Sequence, residues 1–173
     1  MDRNVETPVE EIVLFHKWIR QFFAEALRHC RHKTKLFNFL QTIQLSDFAD
    51  KNLVQIFTDV SRRIDEVHGL GSLATYDITA AICRHYQLAI GKVYLVGDGP
   101  KRAVALLGMK KKVDPYLQLE YVDIQDVVIA FDKKGYKLED QYRTTQDGDL
   151  IESYLCCWQN PIDTQLDLAN LLD

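Results

Sequence analysis

Apolar side chains recur at helical spacing along the first part of this chain, and this periodicity constrains the fold more than any other sequence feature. Thr7 and Glu10 form a capping box around Pro8, a combination typical of a helix start. The apolar positions that follow are Ile12, Phe15, Trp18, Ile19, Phe22, Phe23 and Leu27. Their spacing predicts a first α-helix that buries one continuous face.

The same periodicity, read between glycine and proline breaks, predicts helices along the rest of the chain. They cover about residues 35–43, 50–67, 73–87, 100–107, 123–134 and 147–158, with a last amphipathic piece from Pro161. Ser72 and Asp123 are the expected caps, and Gly108 and Gly135 the expected left-handed helix stops. Residues 92–96 are too short to classify, and residues 136–145 are expected as loop, with a strand as the alternative. The predicted fold is all-α, a compact domain of about seven or eight helices.

The composition fits one globular domain. The 173 residues are 47% hydrophobic and 27% charged, which suits a single domain over residues 1–173. We divide it into a helical support (1–68), a glycine-turn and basic region (69–112) and an acidic helical region (113–173). No apolar run approaches the roughly 18 residues of a membrane span, and no secretory signal opens the chain, so we expect a cytoplasmic protein without a membrane partner.

Charge is distributed very unevenly along the chain. Residues 1–91 are balanced, with 11 basic and 11 acidic side chains; residues 92–112 hold six bases against one acid; residues 113–173 hold four bases against 13 acids. One interpretation is that the acidic third folds back on the basic block. The other is an anion site, with nucleic acid as one candidate anion, that the acidic region shields or tunes.

The segment Gly97-Asp98-Gly99-Pro100-Lys101-Arg102-Ala103 carries the clearest functional signal. Two glycines one residue apart can form a tight turn with positive φ, and a helix starting at Pro100 would direct free backbone N–H groups and its positive dipole end toward an anion. Lys101 and Arg102 lie in the same turn and could reach a phosphate. Lys110, Lys111 and Lys112 would add diffuse attraction. A structural turn without a ligand is the competing interpretation.

A second, looser glycine turn precedes the helix that starts near residue 72. It comprises Gly69, Gly71 and Ser72, with Asp77 one turn into the helix. No cation follows it, so a phosphate role is less supported there. Asp77 would more commonly stabilise the helix dipole than act chemically.

The first segment resembles the hairpin of the helix-hairpin-helix family, typically Gly-x-Gly-x-x-x-Ala after an apolar residue. Val96, Gly97, Gly99, Lys101 and Ala103 match it one by one. That resemblance implies contact between the Gly97 and Gly99 amides and a sugar–phosphate backbone, without reading of sequence. Three further blocks are Gly-Leu-Gly-Ser-Leu-Ala-Thr-Tyr-Asp at 69–77, Lys-Val-Tyr-Leu at 92–95 and Asp-Leu-Ile-Glu-Ser-Tyr-Leu-Cys at 149–156. With them, the stretch of about residues 67–158 resembles an uncharacterised bacterial protein family, which implies a bacterial, cytoplasmic protein but no activity.

An enzyme receives less support from the sequence. Lys101 and Asp114 resemble the Lys and downstream Asp of base-excision glycosylases, yet the gap from Gly97 to Asp114 is several residues too short for that family. His29, Cys30 and His32 lack a second ligand pair, so we expect no metal site and no cofactor. The four cysteines, Cys30, Cys83, Cys156 and Cys157, show no C-x-x-C pair and are expected to be reduced.

The sequence therefore favours a non-enzymatic module that contacts a DNA or RNA backbone through Gly97, Gly99, Lys101 and Arg102. The alternative is a protein–protein component of a bacterial operon, which would dock its amphipathic segment from Ile162 to Leu172 in a partner's groove. A DNA-repair-like enzyme is the remote alternative.

Overall fold

The computed structural model of this protein describes residues 32–158. The chain divides into two compact units, Met1–Ile82 and Cys83–Asp173. The predicted first helix, from Thr7, and the predicted last piece, from Pro161, lie outside the described residues. The interpretation of the chain as one domain with three sub-regions stays a prediction.

Short helical segments form the described part of the first unit up to its glycine turn. They are α1 (Lys33–Leu40), a 3-10 turn (Leu45–Phe48) and α2 (Leu53–Ile64). A capping box formed by Asn52 and Gln55 starts α2: each side chain accepts a hydrogen bond from the other's backbone N–H at 3.0 Å. This box places the start of α2 three residues after the predicted start near Asp50.

The next helix, α3 (Ser72–His85), contains the boundary between the two units. In its first-unit part, Tyr76, Ile78 and Ile82 are buried. Ser72, the expected cap, is the first helical residue rather than the residue before the helix, and Leu73 is 48% exposed. The helix therefore starts one residue before the predicted start at residue 73.

A small antiparallel sheet lies in the second unit. Its strands are β1 (Val93–Tyr94), β2 (Lys112–Val113) and β3 (Glu120–Val122), in the order β1-β3-β2. Tyr121 of β3 is opposite Tyr94 on one side and Lys112 on the other. The strand β2 is therefore an edge of the sheet, and both of its side chains are exposed.

Four helices complete the described part of the second unit: α4 (Asp98–Leu107), α5 (Ile124–Lys134), α6 (Asp140–Thr144) and α7 (Gly148–Trp158). Helix α4 packs against α7 and α5, and α7 also packs against β1. The shared core consists of Val93, Leu95, Ala103, Val104, Leu107, Val122, Val127, Val128, Ala130, Phe131, Leu138, Ile151 and Leu155.

Gly148 determines how closely the start of α7 approaches the chain before β1. Its backbone N–H donates to the carbonyl of Ile90 at 2.6 Å. A β-carbon at this position would overlap the carbonyl group of Lys92 and lie 2.8 Å from the Ile90 oxygen. The helix can therefore dock here only because residue 148 has no side chain.

The prediction of a mostly helical protein is confirmed for the described residues, while an all-α fold misses the small sheet. Gly108 and Gly135 both adopt left-handed conformations with φ of +70° directly after α4 and α5, as predicted. The short helix α6 lies where loop or strand was expected. Its five residues are too few for periodicity to reveal.

Candidate functional site: the basic segment 92–112

The glycine segment 97–103 forms a helix start, and its geometry differs from the predicted tight turn. Gly97 is the residue before α4 and is extended, with φ of −84° and ψ of 166°. The helix begins at Asp98, two residues before the predicted start at Pro100. Among the described glycines, positive φ occurs at Gly69, Gly108 and Gly135, so the positive φ expected at Gly97 and Gly99 is wrong.

The first turn of α4 offers an anion less than the sequence suggested. Gly99 and Pro100 are buried in it, and proline has no N–H to donate. Asp98 carries a negative charge in the same turn. This charge interacts favourably with the helix dipole and would repel an anion bound there. The resemblance to a helix-hairpin-helix turn is therefore not supported by this local geometry.

Lys101 and Arg102 lie in α4, as predicted. Arg102 is exposed and its Nε donates to the backbone oxygen of Asp98 at 3.4 Å; Lys101 is half-buried. Within the described residues neither side chain forms an ion pair, and exposed Lys110 forms none either. These three are the bases of the segment that could meet an outside anion.

The other three bases are paired with acidic side chains from the following segment. Lys111 lies 2.7 Å from Glu120, and Lys112 contacts Asp123 and lies 3.6 Å from Asp126. Because Asp123 is engaged in this way, it occupies the residue before α5 without making a side-chain cap hydrogen bond. Acidic residues thus pair with half of the bases of the basic block. The interpretation that the acidic region folds back on this block holds for that half.

Asp114 is the centre of the tightest polar cluster. Its side chain is almost fully buried and accepts hydrogen bonds from Lys92 Nζ at 2.7 Å and Tyr94 Oη at 2.9 Å. The backbone N–H groups of Tyr116 and Leu117 also donate to it, at 2.9 and 3.1 Å. The ammonium of Lys92 lies 4.4 Å from the ring centre of Tyr121, a cation–π contact. The carboxylate thus ties the start of β1 to the turn between β2 and β3.

The charges of this cluster are fixed rather than poised for proton transfer. Burial alone would raise the pKa of Asp114, but the hydrogen bonds from Lys92 and from its other donors outweigh it and hold that pKa well below its usual range. The hydrogen bond to Asp114 raises the pKa of Lys92, and burial followed by the same carboxylate raises the pKa of Tyr94. A general acid or base needs a pKa near the working pH, so the arrangement favours a structural role over catalysis.

The second glycine turn has a structural explanation at one of its positions. Gly69 is left-handed with φ of +94°, and a β-carbon there would lie 2.7 Å from Nε2 of His32. Gly71 is exposed, and a β-carbon at this position would have no heavy atom within 4 Å. The Gly71 carbonyl accepts a hydrogen bond from the N–H of Thr75 at 3.0 Å. Ser72 is exposed and Asp77 is half-buried in α3. The turn thus approaches His32 closely, and Lys35 Nζ donates to the carbonyl oxygen of His68, the residue before Gly69, at 2.8 Å.

The described residues include three free cysteines, of which Cys83 is buried and Cys156 and Cys157 are exposed. Cys83 is fully buried, and burial, followed by the charges of Asp149 and Asp147, raises the pKa of its thiol to about 11. Residues 32–158 contain no group of three or more His, Cys, Asp or Glu side chains that could hold a metal ion. Over the same residues, no helix is both long and apolar enough to cross a bilayer.

Two determinants of this region were missed by reasoning from the sequence. In the sequence, Asp114 resembles a catalytic acid. An Asp before Pro is, however, also a signal for an Asx turn. In such a turn the carboxylate accepts hydrogen bonds from the backbone N–H groups two and three residues further along the chain. Gly148 carried no sequence signal at all, since only the packing of α7 against residues 90–92 shows why a side chain is excluded there.

Comparison with known proteins identifies no function for this chain. No protein-family model, no curated protein and no solved structure matches this chain. The resemblance of residues 67–158 to an uncharacterised bacterial family therefore stays a prediction.

Proposed function

We propose that this chain is a non-enzymatic binding module, and that β2 with the turn after it forms its contact surface for a partner protein. The observation that carries the proposal is the exposure of two large apolar side chains on this sheet edge. Val113 is 60% exposed and Tyr116 is 77% exposed. Edge strands can accept a further strand, and tyrosine is enriched where proteins bind one another.

The charge around this edge favours a protein over a nucleic acid. Lys111 and Lys112 directly precede Val113, but each already contacts a carboxylate of the same chain. Residues 83–158 contain 11 basic and 11 acidic side chains and thus have no net charge. Nucleic-acid surfaces draw their affinity from excess positive charge, whereas the centres of protein interfaces are depleted of charge.

The test is site-specific photocrosslinking in cells that express the protein. A photoreactive amino acid replaces Tyr116 in one version and exposed Gln125 of α5 in the matched control. We expect one discrete crosslinked protein from position 116, none from position 125, and loss of the product when Val113→Asp is added. Equal crosslinking from both positions, or none from 116, contradicts the proposal.

A second candidate function is contact with a DNA or RNA phosphate backbone. The observation in its favour is that Lys101, Arg102 and Lys110 lack an acidic partner among residues 32–158. Gly97 and Gly99 would contribute only through the start of α4, beside the charge of Asp98.

Fluorescence anisotropy with labelled single- and double-stranded oligonucleotides tests this candidate. The variant Lys101→Glu/Arg102→Glu should abolish binding, whereas Lys133→Glu/Lys134→Glu, which changes net charge by the same amount, should leave most of it. Equal losses in both variants would indicate attraction by overall charge rather than by α4. The other predicted partner contact, through Ile162 to Leu172, lies outside the described residues; deletion of residues 161–173 should leave binding to the oligonucleotide intact.

A further inference from the structure

The hydrogen bonds of the sheet show which backbone groups of β2 face outward. In an antiparallel pair, residues that exchange hydrogen bonds with the neighbouring strand alternate with residues whose N–H and C=O groups point to the other side. The N–H of Asp114 donates to the carbonyl of Leu119 at 2.9 Å, so these two residues are of the bonded kind. Val113, opposite Glu120, is therefore of the other kind. Its N–H and C=O point away from β3, toward the free edge of the sheet.

The pairing of β1 with β3 agrees with this assignment. The N–H of Leu95 donates to the carbonyl of Glu120 at 2.8 Å, so the backbone groups of Glu120 are directed toward β1. Those of the next residue, Tyr121, are then directed toward Lys112 of β2. The backbone hydrogen bonds from β2 to β3 thus involve Lys112 and not Val113.

Of the two edges of this sheet, β2 is the open one in the part of the chain that the structure describes. Helix α7 packs against β1 at the other edge, where a β-carbon on Gly148 would overlap the Lys92 carbonyl. Val113 of β2, by contrast, is 60% exposed. A further strand can therefore be added beside β2, where the outward N–H and C=O of Val113 supply one donor and one acceptor.

A second copy of this chain fits the β2 edge less well than a different segment. If two β2 strands paired antiparallel about Val113, Lys111 of one copy would lie opposite Pro115 of the other. Proline has no N–H to donate, so the carbonyl of Lys111 would receive no backbone hydrogen bond. A segment with an N–H group at this position forms a longer ladder, which favours a different protein as the occupant.

The side chains along β2 indicate the composition of that segment. Since Val113 is largely exposed, the residue placed beside it gains most free energy if it is apolar. Lys110, three residues earlier, is exposed and forms no ion pair within residues 32–158. Three residues of a strand span about 10 Å. An acidic side chain three residues from the apolar one would therefore lie beside Lys110.

We propose that the partner protein adds an extended segment to β2 as a new edge strand, with hydrogen bonds to the N–H and C=O of Val113. The segment carries an apolar side chain beside Val113 and an acidic side chain facing Lys110. This proposal rests on the proposed function of the β2 edge and specifies how the partner is held. In this mode of binding, backbone hydrogen bonds supply affinity and the alternate side chains supply specificity.

The photocrosslinking experiment with the photoreactive residue at position 116 tests the backbone contact. Val113→Pro removes the outward N–H and leaves the hydrogen bonds from β2 to β3 in place, since proline is tolerated where the N–H of an edge strand faces solvent. We expect the yield of the crosslinked product to fall about tenfold, because the partner's carbonyl loses its donor. Val113→Ile is the matched control: it keeps the N–H and the branched apolar side chain and should retain the product.

A second pair of variants tests the charge. Lys110→Glu should lower the yield of the crosslinked product, whereas Lys133→Glu, the same change at an exposed position of α5, should leave it unchanged. Mass spectrometry of the product then gives the sequence of the captured segment. It should contain an apolar residue with Asp or Glu about three residues away.

Amide hydrogen exchange, followed by NMR, tests the contact without any substitution in β2. The probe is a synthetic peptide with the sequence of the crosslinked segment, added to the purified full-length protein. It should slow exchange of the Val113 amide at least about tenfold. The Lys112 amide, which already donates within the sheet, should change little. This measurement decides the question even if Val113→Pro fails to fold.

The outcomes separate this proposal from the proposed function. Equal yields from Val113→Pro and Val113→Ile, unaltered exchange of the Val113 amide, or a captured segment without an acidic residue would overturn strand addition and leave the protein-binding function standing. A crosslink between two copies of this chain would overturn it as well. If the parent protein gives no product from position 116, the proposed function itself is contradicted, and strand addition with it.

Discussion

At the scale of single residues, Asp114 shows how one carboxylate organises the second unit. It is buried, yet it carries a charge because Lys92, Tyr94 and two backbone N–H groups all donate to it. A buried charge that loses a partner is costly, whereas one with every acceptor position used is stable. Asp114 therefore has a structural role in stabilising the sheet rather than a catalytic role.

Replacing Asp114 by Asn should lower the free energy of unfolding by about 2 kcal/mol at neutral pH, because the ion pair with Lys92 is lost inside the protein. The folded-state pKa of Asp114 lies below its unfolded value. Its contribution is thus present above about pH 4 and is lost as pH falls toward the folded-state pKa. Urea unfolding at several pH values should show the difference between variant and parent shrinking in acid.

The matched control for this measurement is Asp123→Asn, which breaks the exposed pair with Lys112 and should change stability little. A loss for Asp114→Asn that stays constant down to low pH would mean that geometry, and not charge, accounts for its effect.

Gly148 yields a prediction about packing. Gly148→Ala places a methyl group against the Lys92 carbonyl and should destabilise the protein by about 1–3 kcal/mol or more. Gly91→Ala is the control, because a β-carbon there meets nothing within 4 Å and its φ is not left-handed. It should be neutral or slightly stabilising. Thermal unfolding of both variants tests the pair, and equal effects would contradict the proposed close approach.

At the scale of elements, helix ends were predicted better than strands. Gly108 and Gly135 end α4 and α5 where expected, because a left-handed residue after a helix has a distinct sequence signature. The strands have only two or three residues each, too few for an alternating pattern. They exist because tertiary packing and the Asp114 turn hold them together.

The capping box of α2 can be tested on its own. Asn52→Ala removes the acceptor for the Gln55 N–H and should cost about 1 kcal/mol of stability. Asn38→Ala, at an exposed position in α1, is the control with the same chemical change and should be close to neutral. Urea unfolding curves compare the two, and equal losses would show that the cap contributes nothing specific.

At the scale of the whole molecule, internal pairing accounts for half of the bases in the basic block that precedes the acidic third of the chain. Lys92, Lys111 and Lys112 meet Asp114, Glu120 and Asp123 across the sheet and its turns. A linear count of charge cannot distinguish such pairing from a surface that waits for an anion. Lys101, Arg102 and Lys110 have no acidic partner among residues 32–158. The number of anion contacts that this segment can make without breaking an internal ion pair is therefore limited to these three bases.

If the protein binds DNA through those three bases, the logarithm of its affinity should fall with the logarithm of salt concentration with a slope of about −3. Anisotropy titrations at four or more salt concentrations give this slope. A much steeper slope would show that the paired lysines leave their carboxylates to contact phosphates, contrary to the arrangement described here.

Helices α1 to α5 and α7 and two helix stops could be predicted from the sequence within a few residues, because periodicity and left-handed glycines are local properties. The position of Lys101 and Arg102 in a helix could be predicted as well. Three outcomes required the folded structure: Gly97 and Gly99 form no left-handed turn, Asp114 binds Lys92 across 22 residues, and Gly148 must lack a side chain. These outcomes depend on which distant groups meet, and a local pattern carries no information about that.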